Sequence, residues 1–189
     1  SIKMIATDGG GSGANVTDVL DLTGGTNNVG LGSGALVSIT SGDDNVVIGE
    51  NAGDALTSGN DNTLVGDNAG TEVTTGFNNT FIGSRSGDAI STADNNVAVG
   101  FNSLGSDTKG DRNVALGSAA LATQNFTTTT DVYNTAVGYT AGFSITTGVQ
   151  NTLIGGLAGL SLTTPNQNVA VGYGALDAET TGARNTAIG

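Results

Sequence analysis

NTLIG, residues 151–155, is one of ten near-copies of a single five-residue phrase. The pattern is Asn, then Val or Thr, an apolar or glycine position, Ile, Leu or Val, and Gly. It starts at Asn28, Asn45, Asn62, Asn79, Asn96, Asn113, Asn134, Asn151, Asn168 and Asn185. Every interval is 17 residues except the one from Asn113 to Asn134, which is 21. A fixed period of this length marks a stacked repeat architecture. Residues 28–189 therefore form one array of ten repeats, with a four-residue insertion in the sixth and a tenth that is expected to be cut short. Residues 1–27 lack the full phrase. Their VLDLTGGTN (19–27) matches the second half of a unit, so the expectation there is an incoming part-coil.

Numbering each unit from its asparagine gives columns with distinct chemistry. Column 8 is Ala or Ser, as in Ala52 and Ser86. Column 12 is usually aliphatic, column 13 is Thr or Ser, and column 15 is usually Gly. No apolar stripe of period 3.6 lasts long enough for a helix, while β-branched residues and glycine recur every few positions. Each unit reads as two short β-runs, near columns 1–4 and 11–14, each followed by a glycine turn. Two runs and two turns in 17 residues make one coil of an all-β solenoid, with neighbouring coils about 4.8 Å apart. The ten asparagines then stack as a side-chain amide ladder.

Successive strand residues alternate faces. Columns 2 and 4 share one face, and column 3 takes the other. Column 3 carries Gly30, then Val47, Leu64, Phe81, Ala98, Ala115, Ala136, Leu153, Ala170 and Ala187, without a polar residue. Both faces of the strand thus look buried. If columns 2 and 4 fill a thin interior, column 3 needs a partner chain, and these nine side chains are the expected contacts between copies. A thin interior would hardly offset the entropy of ordering each coil. An elongated stack favours parallel copies about one axis.

Composition excludes several function classes. The chain has 189 residues, 32 glycines, one proline, no cysteine and no histidine. Without imidazole or thiolate, the usual zinc, copper and iron sites have no ligands, and no metal or other cofactor is expected. Histidine is also the commonest general acid–base. No nucleophile–base pair, convergent carboxylate pair or phosphate loop stands out, so the expectation is a non-enzymatic protein. Net charge is −12 with only five scattered cations. Nucleic acid is therefore not an expected partner, and the segment has no apolar run long enough to insert in a membrane.

NTAIG (185–189), NVAVGYGAL (168–176), NTAVGYTAG (134–142) and NVALGSAAL (113–121) resemble the head repeats of YadA-like trimeric adhesins. They are also similar to runs in trimeric bacteriophage tail fibres and related bacterial fibres, where an endosialidase-type chaperone domain often follows. The resemblance covers about residues 27–189. It implies a left-handed parallel β-roll, a homotrimer, and a place outside the cell, on a cell surface or virion. The 17-residue unit is longer than the usual adhesin-head unit. The chain also lacks an adhesin neck, a heptad stalk and a membrane anchor, which favours a fibre segment of phage type.

Several residues invite a binding role. Column 6 is chemically mixed, and Phe101, Tyr139 and Tyr173 fall on alternate coils of one flank. Exposed rings there could stack on a sugar or anchor a protein; they could equally pack at the rim of a chain–chain seam. The insertion, TQNFTTTTDVY (123–133), reads as a protruding loop with Phe126 and Tyr133 as anchors. Asp43, Asp44, Asp61, Asp67, Asp94 and Asp111 cluster near turns; stacked acidic turns can hold calcium, but aspartate is a routine turn former. The sequence as a whole reads as a structural segment of a trimeric extracellular fibre that spaces or presents an attachment element. The alternative is that the repeat array is itself an adhesin for matrix protein or glycan. More remote is an ice-binding solenoid: the threonines of column 13 sit beside further threonines rather than alternating with other residues.

Overall fold

The computed structural model describes residues 24–189. Residues 1–23 lie outside the description, and with them most of the expected part-coil at 1–27. Gly24–Asn27 already follow the coil pattern: Thr26 N–H donates to Asp43 Oδ1 at 2.6 Å, as equivalent residues do further along.

The described chain is all-β. In order, the strands are β1 (Val29–Leu31), β2 (Val46–Ile48), β3 (Thr63–Val65), β4 (Thr80–Ile82), β5 (Val97–Val99), β6 (Gly110–Asp111), β7 (Val114–Leu116), β8 (Thr130–Asp131), β9 (Thr135–Val137), β10 (Thr152–Ile154), β11 (Val169–Val171) and β12 (Thr186–Ile188). Ten of them form one parallel sheet in the order β1-β2-β3-β4-β5-β7-β9-β10-β11-β12. Register advances by one repeat per strand, so Phe81 sits between Leu64 and Ala98. This is a β-solenoid, with the 21-residue coil accommodated without loss of register between β7 and β9.

Three features fix the coil. First, each asparagine of column 1 receives the next asparagine's backbone N–H on its side-chain oxygen, at 2.8–3.3 Å over nine rungs. Most side-chain amides also donate across their own coil to the column-15 carbonyl, as Asn62 does to Gly76 at 2.9 Å. The asparagines from Asn45 to Asn168 are buried, and these bonds satisfy them. Second, the glycine of column 5 has φ between +122° and +140° in all ten copies. A Cβ there would meet the next coil's glycine backbone at 2.2–2.8 Å wherever a next coil follows. Conformation and close approach both demand glycine.

Third, an Asp or Asn at column 16 accepts the backbone N–H of the same column one coil earlier. Asp43 N–H donates to Asn60, Phe77 N–H to Asp94, Asp94 N–H to Asp111, and Val149 N–H to Asn166, at 2.8–2.9 Å. Of the turn aspartates, Asp43, Asp94 and Asp111 are thus occupied as backbone acceptors.

The second β-run is thinner than the sequence suggests. Columns 11–14 form no strand in the regular coils. The column-13 residue gives a single rung: Thr57 N–H and Oγ1–H both donate to the Thr74 carbonyl, at 2.9 and 3.0 Å. Thr40, Thr74, Thr146 and Thr163 repeat the arrangement. β-Branching was a correct sign of stacking here, but the turning chain leaves one paired residue instead of a ladder. These hydroxyls donate into the stack, so they do not form a free array toward water.

The facing of the strand is the reverse of the sequence expectation. Val47, Leu64, Phe81, Ala98, Ala115, Ala136, Leu153 and Ala170 are wholly buried within the single chain. Ala187, on the final strand, is partly covered. Column 3 therefore fills the interior of the coil, packed against columns 8, 9 and 12, and is not available to a partner. Columns 2 and 4 point outward.

The core fills itself by compensation between columns 3 and 9. Where column 3 is large, column 9 is glycine: Val47 with Gly53, Leu64 with Gly70, Phe81 with Gly87, Leu153 with Gly159. Where column 3 is glycine or alanine, column 9 is leucine: Gly30 with Leu36, Ala98 with Leu104, Ala115 with Leu121, Ala170 with Leu176. A Cβ on Gly87 would lie 2.6 Å from the Phe81 ring, and one on Gly70 2.9 Å from Leu64. In the seventh coil both positions are small, and Leu121 and Leu153 from the flanking coils close on Gly142. Column 9 has positive φ with either residue, at +58° in Gly87 and +52° in Leu104. The buried leucine thus accepts a backbone cost for the sake of close packing.

Candidate functional site

Two surface features and one buried network stand apart from the regular scaffold. The first is the outward sheet face. Column 2 presents Val29, Val46, Thr63, Thr80, Val97, Val114, Thr135, Thr152, Val169 and Thr186. Column 4 presents Leu31, Ile48, Val65, Ile82, Val99, Leu116, Val137, Ile154, Val171 and Ile188. These side chains are half-buried or exposed, while the residue between them is interior. The face holds no charged side chain, on a chain of net charge −12. It runs the length of the array, because the strands stack in register.

The second feature is the column-6 edge, immediately beyond the column-5 glycine. Phe101, Tyr139 and Tyr173 are 57%, 64% and 78% exposed. They occupy alternate coils of one flank, as their spacing indicated. Ser118 and Gly156 lie between them. The Tyr173 ring rests over Gly156: a Cβ there would sit 3.4 and 3.6 Å from two of its ring carbons.

The insertion does not project both of its expected anchors. Phe126 is buried, a correction to its reading as a surface residue. With Ala122 and Val132 it lies outside the main core cluster, under the extra chain. A loop of eleven residues that must rejoin a fixed register folds back over its own aromatic. Tyr133 is exposed, and its ring lies 5.8 Å from the Arg112 guanidinium, which also pairs with Asp131. Together with the short β6–β8 pairing, these contacts hold the insertion against the fifth coil.

Beneath it lies a buried polar chain that the column reading passed over. Column 12, aliphatic in six of its nine copies, is Asp107 in the fifth coil and Gln124 in the sixth, and both are fully buried. Gln124 Nε2 donates to Asp107 Oδ2 at 2.5 Å. Asp107 Oδ1 also accepts Gly110 N–H at 3.1 Å and Phe126 N–H at 2.9 Å. Gln124 Oε1 accepts Asn134 Nδ2 at 2.8 Å, linking the network to the asparagine column. The signal was present: two polar residues replace aliphatics in the coils that border the insertion.

Asn68, Thr71, Glu72, Arg85, Asp88 and Ala89 line a shallow groove. Burial pushes the Asp88 carboxyl up, with Glu72 adding to the shift and Arg85 opposing it. Asp94 and Asp111 are likewise raised by burial. Among the described residues no cluster of three or more acidic side chains is arranged to hold a metal ion. No helix there is long and apolar enough to cross a membrane.

No family model matches the chain, and searches of curated proteins and of solved structures find no match.

Proposed function

We propose that this chain is a non-enzymatic structural segment of a homotrimeric extracellular fibre, of the cell-surface or virion type, that spaces or presents an attachment element. The observation that carries this reading is the outward face of columns 2 and 4. Its twenty outward positions, fifteen aliphatic and five threonine, bear none of the chain's charged side chains. A face left to water would be expected to carry some of them, and a long apolar strip of this kind marks an interaction surface. Sister copies are the natural occupant, because a repeated, unidirectional face matches itself when parallel chains surround a common axis. The number three and the left-handed winding rest on the resemblance to adhesin heads and tail fibres.

In that assembly the mechanism is mechanical. Stacked, stitched coils give a stiff rod, and symmetry multiplies whatever is displayed on it. Sedimentation equilibrium on the chain tests the reading. A trimer is expected, and Ile82→Lys with Val99→Lys should yield monomers that keep their β-sheet circular dichroism. A wild-type monomer at high concentration would overturn it. A second reading, that the array is itself an adhesin, is favoured by the exposure of Phe101, Tyr139 and Tyr173.

A further inference from the structure

We propose that the column-6 edge binds a linear, uncharged β-1,4-linked polysaccharide of the cellulose or chitin type, lying along the rod axis. Phe101, Tyr139 and Tyr173 stand on the fifth, seventh and ninth coils, whose strands are β5, β9 and β11. The intervening strands keep unbroken register, so the insertion does not disturb the spacing. Parallel strands about 4.8 Å apart put the backbone attachment points of these rings about 9.6 Å from one another. Two sugar units of an extended β-1,4 chain cover nearly the same length, and every second ring shows the same face. Aromatic side chains bind such rings through the apolar C–H face of the sugar, a contact large in area and low in entropy cost.

The residues between the aromatics fit the same occupant. Ser118 and Gly156 carry no ring of their own, so no aromatic interrupts the alternation. Tyr173 leans over Gly156, which gives its ring a supported position. A protein partner would gain nothing from a strict two-coil period, whereas a polymer with a matching repeat engages all three rings at once. The chain's net charge of −12 disfavours polyanionic glycans and leaves neutral ones. This site does not depend on the oligomeric state proposed above.

Isothermal titration of the chain with cellopentaose and with chitopentaose tests the inference; about five sugar units are needed to span three alternate rings. Binding of at least one is expected, and the two arms tell a glucan from an N-acetylglucosamine polymer. Phe101→Ala, Tyr139→Ala and Tyr173→Ala should each weaken it about tenfold, and the triple variant should abolish it. The decisive variant exchanges Ser118→Tyr with Tyr139→Ser, which keeps three aromatics but breaks the alternation; it should bind at least tenfold more weakly than wild type. No heat with either sugar at millimolar concentration, or full affinity in the exchanged variant, would overturn the proposal. Sedimentation of the same samples reports the oligomer independently, so failure of one reading is not mistaken for failure of the other.

Discussion

The fourth and fifth coils share a backbone but fill it differently. In the fourth, Phe81 projects from the strand and Gly87 makes room. In the fifth, Ala98 leaves room and Leu104 enters from the opposite wall. The fourth closes its column 12 with Ile90, the fifth with the carboxylate of Asp107. Even their column-8 serines meet: Ser86 and Ser103 lie 3.1 Å apart, Oγ to Oγ, and each donates or accepts within the stack. The scaffold is thus set by the asparagine and glycine columns, and the core is filled from either side or, in the seventh coil, from the flanking coils. Such cores tolerate exchange when total volume is kept.

The largest effect should come from removing that volume. Phe81→Ala is expected to cost about 3–5 kcal/mol in denaturant unfolding, because the neighbouring coils are tied too firmly to collapse on the void. Adding Gly87→Leu should recover most of it by converting the fourth coil to the pattern of the fifth. Gly87→Leu on its own should destabilise by about 1–3 kcal/mol through overpacking. The sign of the coupling in this double-mutant cycle decides whether compensation is real; additive losses would break the comparison.

Next in size is the polar half of the contrast. Asp107→Ala should cost about 1–3 kcal/mol, since it orphans the Phe126 and Gly110 N–H groups. Hydrogen exchange should then accelerate over residues 124–132 and leave the fourth coil unchanged. Ile90→Ala should do the reverse, loosening the fourth coil and sparing the insertion.

The smallest effect concerns the acidic turn. Burial raises the folded-state pKa of Asp94 and Asp111 above the ordinary aspartate value. The folded chain then holds protons more tightly than the unfolded one, so these groups favour folding below that value and lose that advantage as pH rises through the raised pKa. Asp111→Asn keeps the bond from Asp94 N–H, as Asn60 and Asn166 do in the same column, without the buried charge. It should raise Tm at pH 7 by about 1–3 °C and make no difference at pH 3. Thermal melts across that range check the sign.

The solenoid was legible because its two strictest requirements are chemical. Only asparagine can both receive the neighbouring N–H and donate across the coil, and only glycine fits at column 5; both recur without exception. The facing of the strand was not legible from alternation, because columns 2, 3 and 4 are all apolar or threonine and parity has nothing to separate. The information lay six residues further on, in the trade between column 3 and column 9. A residue whose size is matched by another in its own coil must share a core with it. Phe126 was misplaced for another reason: a loop was expected to project, while this one has enough length to cover itself. The exposed column of Phe101, Tyr139 and Tyr173 was legible because its identities vary while its neighbours' do not.

The asparagine amides all point one way. Each side-chain carbonyl faces the coil that follows, and each backbone N–H at that column faces the one before. Columns 13 and 16 run the other way: Thr57 N–H donates to Thr74, and Asp43 N–H to Asn60, each in the coil that follows. Whatever closes the stack must therefore match donors and acceptors column by column, with the pattern inverted between the two ends.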